Sequence, residues 1–524
     1  MFSFVIVFIL VCPILSIFIS SLKFDLNTWS HLVSTKLGLY TWNTITLLLG
    51  VGLTSLFIGL TSAWIIANYN FPFSKILEWA LILPLAIPPY IVAYSYTDFL
   101  EYSGFIQTFI RDIFLFKTSK EYYFPEIRSM GGAIFVMSFV LYPYIYLISK
   151  LAFLSTPISL YELAKMHGKS SFFNVALPMS RPAIVAGLSL VLMETISDFG
   201  TVEFFAVETL TLGIFNLWLG MNDFAAASQV AIVSFTFIII LLGIELTARK
   251  RQKFHDYQIK NIKFRTKLNF YQSLLAISIC FIPLFFGFIL PVLILIEQGS
   301  TDTTNFSTLL EISINTLTIA GISAIIIVFI SAFLALTVNF KGNKIFPFFA
   351  TAAGSGYAFP GVMIALGTTY FFSLIQNINF MNSFTIIGTF IALIFAYISR
   401  FNAIGYGSIN TGIMRMTPSL MEASITMGYS YERSILKIVF PIIKPSFLVA
   451  GILSFVEIAK ELPITLLLRP FNFETLSTYV YQYAKDEMFE DSAYAALLIV
   501  FVGLIPIFLL NKALKTQNFF NNKK

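Results

Sequence analysis

Charge is the scarcest property of this sequence. Asp, Glu, Lys and Arg make up 11% of its 524 residues, against about 25% in a soluble domain, which excludes an ordinary water-facing globular fold. Histidine is rare: His31, His167 and His255 lie far apart and form no ligand cluster. The only cysteines, Cys12 and Cys280, sit inside apolar runs. They form neither a disulfide framework nor a metal pattern and read as small buried hydrophobes. A phosphate loop is missing too. Residues 162–171, ELAKMHGKSS, contain Gly-Lys-Ser, but a P-loop needs a glycine five residues before Gly168. Leu163 stands there, and no strand-like run precedes it. The chain also lacks a constellation of nucleophile, base or metal ligands, which argues against a membrane-embedded enzyme. No cofactor and no nucleic-acid partner is expected.

What is abundant is apolar sequence: 57% of residues are hydrophobic and mean hydropathy is +0.83. Twelve runs reach the roughly 20 residues a bilayer span needs. Their approximate limits are 2–22, 43–67, 77–99, 131–152, 179–199, 224–246, 270–296, 315–338, 346–374, 383–404, 441–459 and 492–513. In lipid a helix satisfies every backbone group within one such segment, so the expected fold is an all-α membrane protein. The first run has no basic n-region, a long apolar core and no small-residue cleavage site after it, and reads as the first helix rather than a signal peptide.

Lys and Arg set the orientation. With the N-terminus inside, the cytoplasmic segments hold 24 of the 33 basic residues and the outer half holds 21 of the 27 acids. The reverse topology would invert the bias. Both termini are therefore expected in the cytoplasm.

The spans fall into two sets of six. NTITL (43–47) returns as NTLTI (315–319), and AIPPY (86–90) as AFPGV (358–362), both at an offset of 272. SLYELAKMHG (159–168) returns as SLMEASITMG (419–428), and LPMSRP (177–182) as FPIIKP (440–445). Six is even, so both repeats start inside and are parallel. The expected organisation is a first unit over 1–247, a basic cytoplasmic linker over 248–269 and a second unit over 270–524. A duplicated set of spans encloses a pathway, and transport is the natural reading.

In both repeats ELAKMHG and its counterpart lie on the inner side, between the fourth and fifth spans. Thr156-Pro157 and Thr417-Pro418 read as an N-cap followed by Pro at the first helical position, and Gly168 and Gly428 as glycines closing a helix in a left-handed turn. The spacing predicts short helices over about 157–168 and 418–428, too short to span and duplicated, as expected of knobs for a cytoplasmic partner. An amphipathic interfacial helix is the plainer alternative.

Glu-Ala-Ala, three residues, Gly, nine residues, then Ile-x-Leu-Pro is the pattern these stretches follow. It resembles the cytoplasmic signature of permeases of type I ABC importers. The second repeat fits through Glu422, Ala423, Gly428, Ile438, Phe440 and Pro441. The first keeps Glu162, Ala164, Gly168, Leu177 and Pro178. From glycine to proline is 10 residues in the first repeat and 13 in the second. The resemblance implies that Glu162, Ala164, Gly168, Glu422, Ala423 and Gly428 belong to coupling helices docking on two copies of a separate ATPase subunit, which carries the P-loop. METISDFGTVEFF (193–205) and KELPITLLLRPFNFETLSTYVYQYAKDE (460–487) look like ferric-iron permeases with two units fused in one chain. That implies alternating access in a bacterial inner membrane, with ferric iron delivered by a periplasmic binding protein. Thiamine, phosphonate and polyamine remain alternative cargoes. A secondary transporter, which would not need the paired helix–glycine signature, is a more distant alternative.

Four acids lie near the outer ends of the fifth spans. Glu194 and Glu457 align at an offset of 263, as do Asp198 and Glu461, and the i, i+4 spacing predicts one helical face for each pair. Intramembrane acids face a cavity or a partner, and carboxylate oxygens suit hard cations. These four are the candidate translocation residues. The alternative is that they brace the outer gate by pairing with Lys460 or with loop residues. No tight metal site is expected, because cargo has to leave.

Overall fold

The apolar runs become helices, and the prolines decide where those helices break. The computed structural model describes residues 2–23, 26–251, 265–302, 304–340, 353–376, 386–414, 416 and 419–521. Most of the expected linker, the start of the ninth span, the start of the tenth, and Thr417-Pro418 lie outside them. Among the described residues ten helices are long and apolar enough to cross a membrane, and a bent pair makes an eleventh. The helix Gly361–Gln376 occupies the described part of the ninth expected span. The chain is an all-α membrane protein, and its described strands are one two-residue parallel bridge, Tyr69–Asn70 with Thr266–Lys267.

The third span, expected as a continuous run over 77–99, is broken. Ser74–Ala86 and the helical stretch that begins at Pro89 meet at 90°, because Pro88 and Pro89 cannot donate ladder hydrogen bonds and force the preceding residues to extend. Its repeat behaves alike. A tight turn ends at Ala86 in one and Ala358 in the other, Ile87 and Phe359 are extended, and a helix starts at Pro89 and Gly361. Elsewhere proline is absorbed by a wide turn: Phe172–Ala176, Phe285–Ile289 and Ile435–Val439 each end two residues before a proline. Such π-type turns accommodate a missing N–H inside a continuing helix.

The chain packs as two compact units that cut across the sequence repeats. One consists of Met1–Trp29, Ile214–Ile232 and Thr304–Tyr481. The other consists of Ser30–Gly213, Val233–Thr303 and Gln482–Lys524. The first helix of each repeat therefore lies in the unit built mainly from the other repeat. In the first unit, helix Phe2–Ser21 packs along Gly361–Gln376, and Ser16 Oγ donates to the Gly367 carbonyl at 2.6 Å. Gly367 permits that approach, since a Cβ there would run into the Pro13 carbonyl. Gly367→Val is expected to lower the thermal unfolding midpoint in detergent, overpacking costing at least about 1–3 kcal/mol. Gly321→Val, a site with open space around it, should leave the midpoint unchanged.

In the second unit, helix Phe270–Gly299 of the later repeat is tied to the earlier one, with Tyr96 Oη donating to the Phe286 carbonyl at 2.6 Å. Its core gathers Ile66, Tyr142, Tyr146, Phe153 and Cys280. Cys12 and Cys280 are both free and buried. Ion pairs in this unit respect the expected alternation of sides. Glu78 meets Lys150 at 3.5 Å and Arg265 at 3.0 Å, all assigned to the inner face. Lys36 meets Glu208, and Arg128 meets Glu101 and Glu487, all assigned to the outer.

Candidate functional site

The two short helices expected on the inner side share one geometry. In the first repeat Ile158–Met166 is helical and Gly168 has φ +64°. In the second Ser419–Thr426 is helical and Gly428 has φ +86°. Each ends in a Schellman turn. Gly168 N–H donates to the Lys165 carbonyl and Lys169 N–H to that of Ala164, while Gly428 N–H donates to Ile425 and Tyr429 N–H to Ser424. No atom lies within 4 Å of a Cβ built on either glycine, so backbone conformation alone demands glycine there. Lys169 and Ser170 are loop residues beyond the helix.

The beginning of the first helix differs from expectation. Thr156 does not cap it; its hydroxyl donates back to the Ala152 carbonyl at 3.0 Å, closing the preceding span, and Pro157 takes the cap position with no side-chain cap. The counterpart Thr417-Pro418 lies outside the described residues.

From Tyr161 and Met421 onward burial follows one pattern: Tyr161 and Ala164 are buried in the first segment, Met421 and Ser424 in the second, and the other residues of 161–170 and 421–430 are exposed. Glu162, Gly168, Glu422, Ala423 and Gly428 are thus at the surface, and Ala164 anchors its helix to its own unit. Exposed Leu163 and Met166, and exposed Ile425 and Met427, put apolar side chains on each knob. The spacing difference also has a local cause. A helical turn, Tyr431–Ser434, precedes the wide turn in the second repeat, where the first has only Ser171. The added residues lengthen the front of the following span and leave the short helix unaltered.

The four acids are placed differently from the sequence expectation. Helices Leu177–Ser197 and Phe440–Ala459 end before Asp198 and Glu461, so neither pair shares a continuous helical face. Asp198 instead accepts from Thr201 N and Oγ1, both at 3.0 Å, and from Val202 N at 3.2 Å, capping the short helix Gly200–Phe204. Glu461 does the same for Pro463–Leu468, accepting from Ile464 N at 3.2 Å. It also carries a partner the sequence reading missed, Arg400, whose Nη1 is 2.6 Å from Oε1, with both side chains 7% exposed. Arg400 lies near the middle of helix Phe390–Met414, so it is not a cytoplasmic charge as counted above, and Glu461 sits at its depth. Glu457 pairs with Lys460 at 3.1 Å. Glu194 and Glu457 remain partly exposed where the spans break. Glu194 and Asp198 belong to one compact unit, Glu457 and Glu461 to the other.

The repeated NT dipeptide, used above only as a landmark, also has a structural role. Asn43 Nδ2 donates to the Glu208 carbonyl at 3.1 Å and Asn315 Nδ2 to that of Glu474 at 3.2 Å. Thr44 Oγ1 accepts from Leu210 N at 3.0 Å and Thr316 Oγ1 from Leu476 N at 2.8 Å. Each pair fixes the start of a helix, Leu210–Phe215 or Leu476–Lys485, that follows the broken fifth span. Among the described residues no group of three or more His, Cys, Asp or Glu side chains is placed to hold a metal ion.

Residues 55–250 match the family described as binding-protein-dependent transport system inner membrane component. Over 490 residues the chain is 24% identical to an Fe(3+)-transport system permease protein of Haemophilus influenzae, covering 90% of this chain and 89% of that one. A ferric transport system permease protein of Actinobacillus pleuropneumoniae is 24% identical over 82% of this chain and 64% of its own length. A molybdenum transport system permease protein of Escherichia coli is 26% identical over 38% of this chain and 90% of its own.

Proposed function

Through residues 55–250 the chain belongs to the family of binding-protein-dependent transport system inner membrane components, and from that premise we propose that it is the permease of an ATP-driven importer of ferric iron. It is a multi-pass inner-membrane transport component rather than an enzyme, and it works with an ATPase and a periplasmic binding protein. The cargo reading rests on the similarity to ferric permeases over most of the chain, where the molybdenum permease matches little more than a third. The binding protein is then of the ferric type.

The observation that carries the coupling reading is the pair of short helices with matched burial and matched left-handed glycine ends. Two equal knobs suit two copies of one ATPase chain, with Glu162, Gly168, Glu422, Ala423 and Gly428 at the docking surfaces and Ala164 beneath. Both termini and the linker lie in the cytoplasm, and residues 1–247 and 270–524 are the two permease units. Glu194, Asp198, Glu457 and Glu461 border the pathway in two roles. Asp198 and Glu461 hold the short helices after the broken spans, while Glu194 and Glu457 offer negative potential to a passing cation.

Replacing Glu194 and Glu457 together by Gln is expected to lower uptake of radiolabelled ferric iron by about tenfold, the lower range of electrostatic focusing, with membrane level and thermal stability unchanged. Normal uptake by a normally expressed double variant would remove these carboxylates from the mechanism. Cysteines placed at polar positions of 102–128 should react with membrane-impermeant thiol reagents from the outside, and cysteines in 248–267 only from the cytoplasm. Reversed labelling would refute the orientation.

A further inference from the structure

The segment between the third and fourth spans carries a helix that no part of the transport reading uses. Phe105–Phe114 follows the end of helix Pro89–Leu100, and the chain re-enters a spanning helix at Met130. Both spans end on the same face of the membrane, so this helix lies at that face whichever side it is. Its residues divide cleanly. Phe105, Phe109 and Ile113 stand at i, i+4, i+8 with Ile106 and Ile110 beside them, while Gln107, Thr108, Arg111 and Asp112 occupy the opposite side.

The polar side is already engaged. Gln107 donates to the Leu100 carbonyl and accepts from Tyr122 Oη at 2.7 Å. Arg111 donates to the Tyr102 carbonyl at 2.7 Å, to Thr108 Oγ1 at 2.9 Å and to Tyr122 Oη at 3.2 Å, with its guanidinium 4.1 Å from the centre of the Tyr102 ring. These bonds fix the rotation of the helix, so its apolar side points out. Phe105, Phe109, Ile113, Phe114 and Leu115 are 54–82% exposed. The apolar side also continues the spanning helix: Phe99, near its end, stacks on Phe105, and Phe105 stacks on Phe109, at 5.7 and 6.1 Å between ring centres.

We propose that Phe105–Phe114 is an interfacial helix, its Phe105/Phe109/Ile113 side embedded in the bilayer surface beside the end of the third span. A helix with one charged side and a Phe-rich opposite side favours the headgroup–acyl boundary, and aromatic rings are enriched there. Continuity with the spanning helix through the Phe99–Phe105–Phe109 stack selects lipid as the occupant rather than a soluble partner. The inference depends on neither cargo nor orientation. One consequence is that a cavity of about 880 Å³, lined by Gln107, Tyr122, Glu126 and Arg128 among others, is held against the membrane surface by its own anchored wall.

The test places single cysteines at Phe109, Ile113 and Asp112 in a background with Cys12 and Cys280 replaced by Ala. Each is labelled with an environment-sensitive fluorophore and the full chain is reconstituted in phosphatidylcholine vesicles. Labels at 109 and 113 should be quenched by shallow spin-labelled lipid about threefold more than the label at 112, as an interfacial helix requires. The 112 label should be the one reached by aqueous iodide. Equal iodide access at all three positions, with no quenching by lipid, would overturn the proposal. So would a shift at 109 and 113 seen only on adding the binding protein, since the apolar side would then be a protein-docking surface. Two apolar positions are used so that loss of one variant leaves the comparison intact.

Discussion

Gly428→Val is expected to abolish most iron uptake while leaving the protein in the membrane. The residue sits at φ +86°, where a β-branched side chain is an outlier, and a left-handed residue other than glycine costs at least about 1–2 kcal/mol. The chain can relieve that strain only by giving up the bonds from Gly428 and Tyr429 to Ile425 and Ser424, which set how the chain leaves the short helix for the span that follows. Since 1.4 kcal/mol is tenfold in an equilibrium, docking of the ATPase should weaken by roughly tenfold or more, measured by co-purification and by uptake. Gly428→Asn is the control, because asparagine tolerates the left-handed region, and should retain most uptake. Gly168→Val should behave as Gly428→Val does, given the same glycine turn and the matching burial of 161–170 and 421–430. If the valine variants assemble with the ATPase and transport normally, these helices do not couple.

Arg400→Met is expected to destabilise the protein strongly. It would leave Glu461 buried at membrane depth with the Ile464 N–H as its remaining described side-chain partner, and breaking a buried pair on one side costs about 3–5 kcal/mol. The pair is tightly enclosed: a Cβ at Gly361 would lie 2.6 Å from Arg400 Nη1 and from Glu461 Oε1. The double variant Arg400→Met, Glu461→Gln removes the unpaired charge and should recover most of the lost thermal stability. Additive losses in the double variant would show that the two side chains do not act as a pair. Among the described residues the first repeat has no equivalent pair. Its matching residue, Asp198, is satisfied by Thr201 and Val202, so Asp198→Asn, which keeps an acceptor, should cost far less.

The spans, the repeated segments and the two short helices that end in glycine were legible because each has a local physical signature: apolar length, repeated wording, and proline and glycine at fixed places. The exchange of first helices between units was not. Helix Phe2–Ser21 is apolar all round, and in a membrane the side that meets lipid and the side that meets Gly361–Gln376 are made of the same residues. Arg400 was misplaced for a related reason. A hydropathy window averages a single arginine away, and nothing local to it announces Glu461, 61 positions on. The break at Pro88-Pro89 was written in the sequence, but a count of apolar residues passes over it. At the acids, spacing predicted a shared helical face. The helices end first, and Asp198 and Glu461 cap the turns that follow.

The most direct measurement is transport by purified components. The chain is co-reconstituted in liposomes with its ATPase subunit and its periplasmic binding protein loaded with radiolabelled ferric iron. Uptake that requires ATP, the ATPase and the binding protein, and that fails with Gly428→Val, is the predicted result. Iron accumulation driven by an ion gradient without the ATPase, or ATP-dependent assembly that moves no iron, would contradict it.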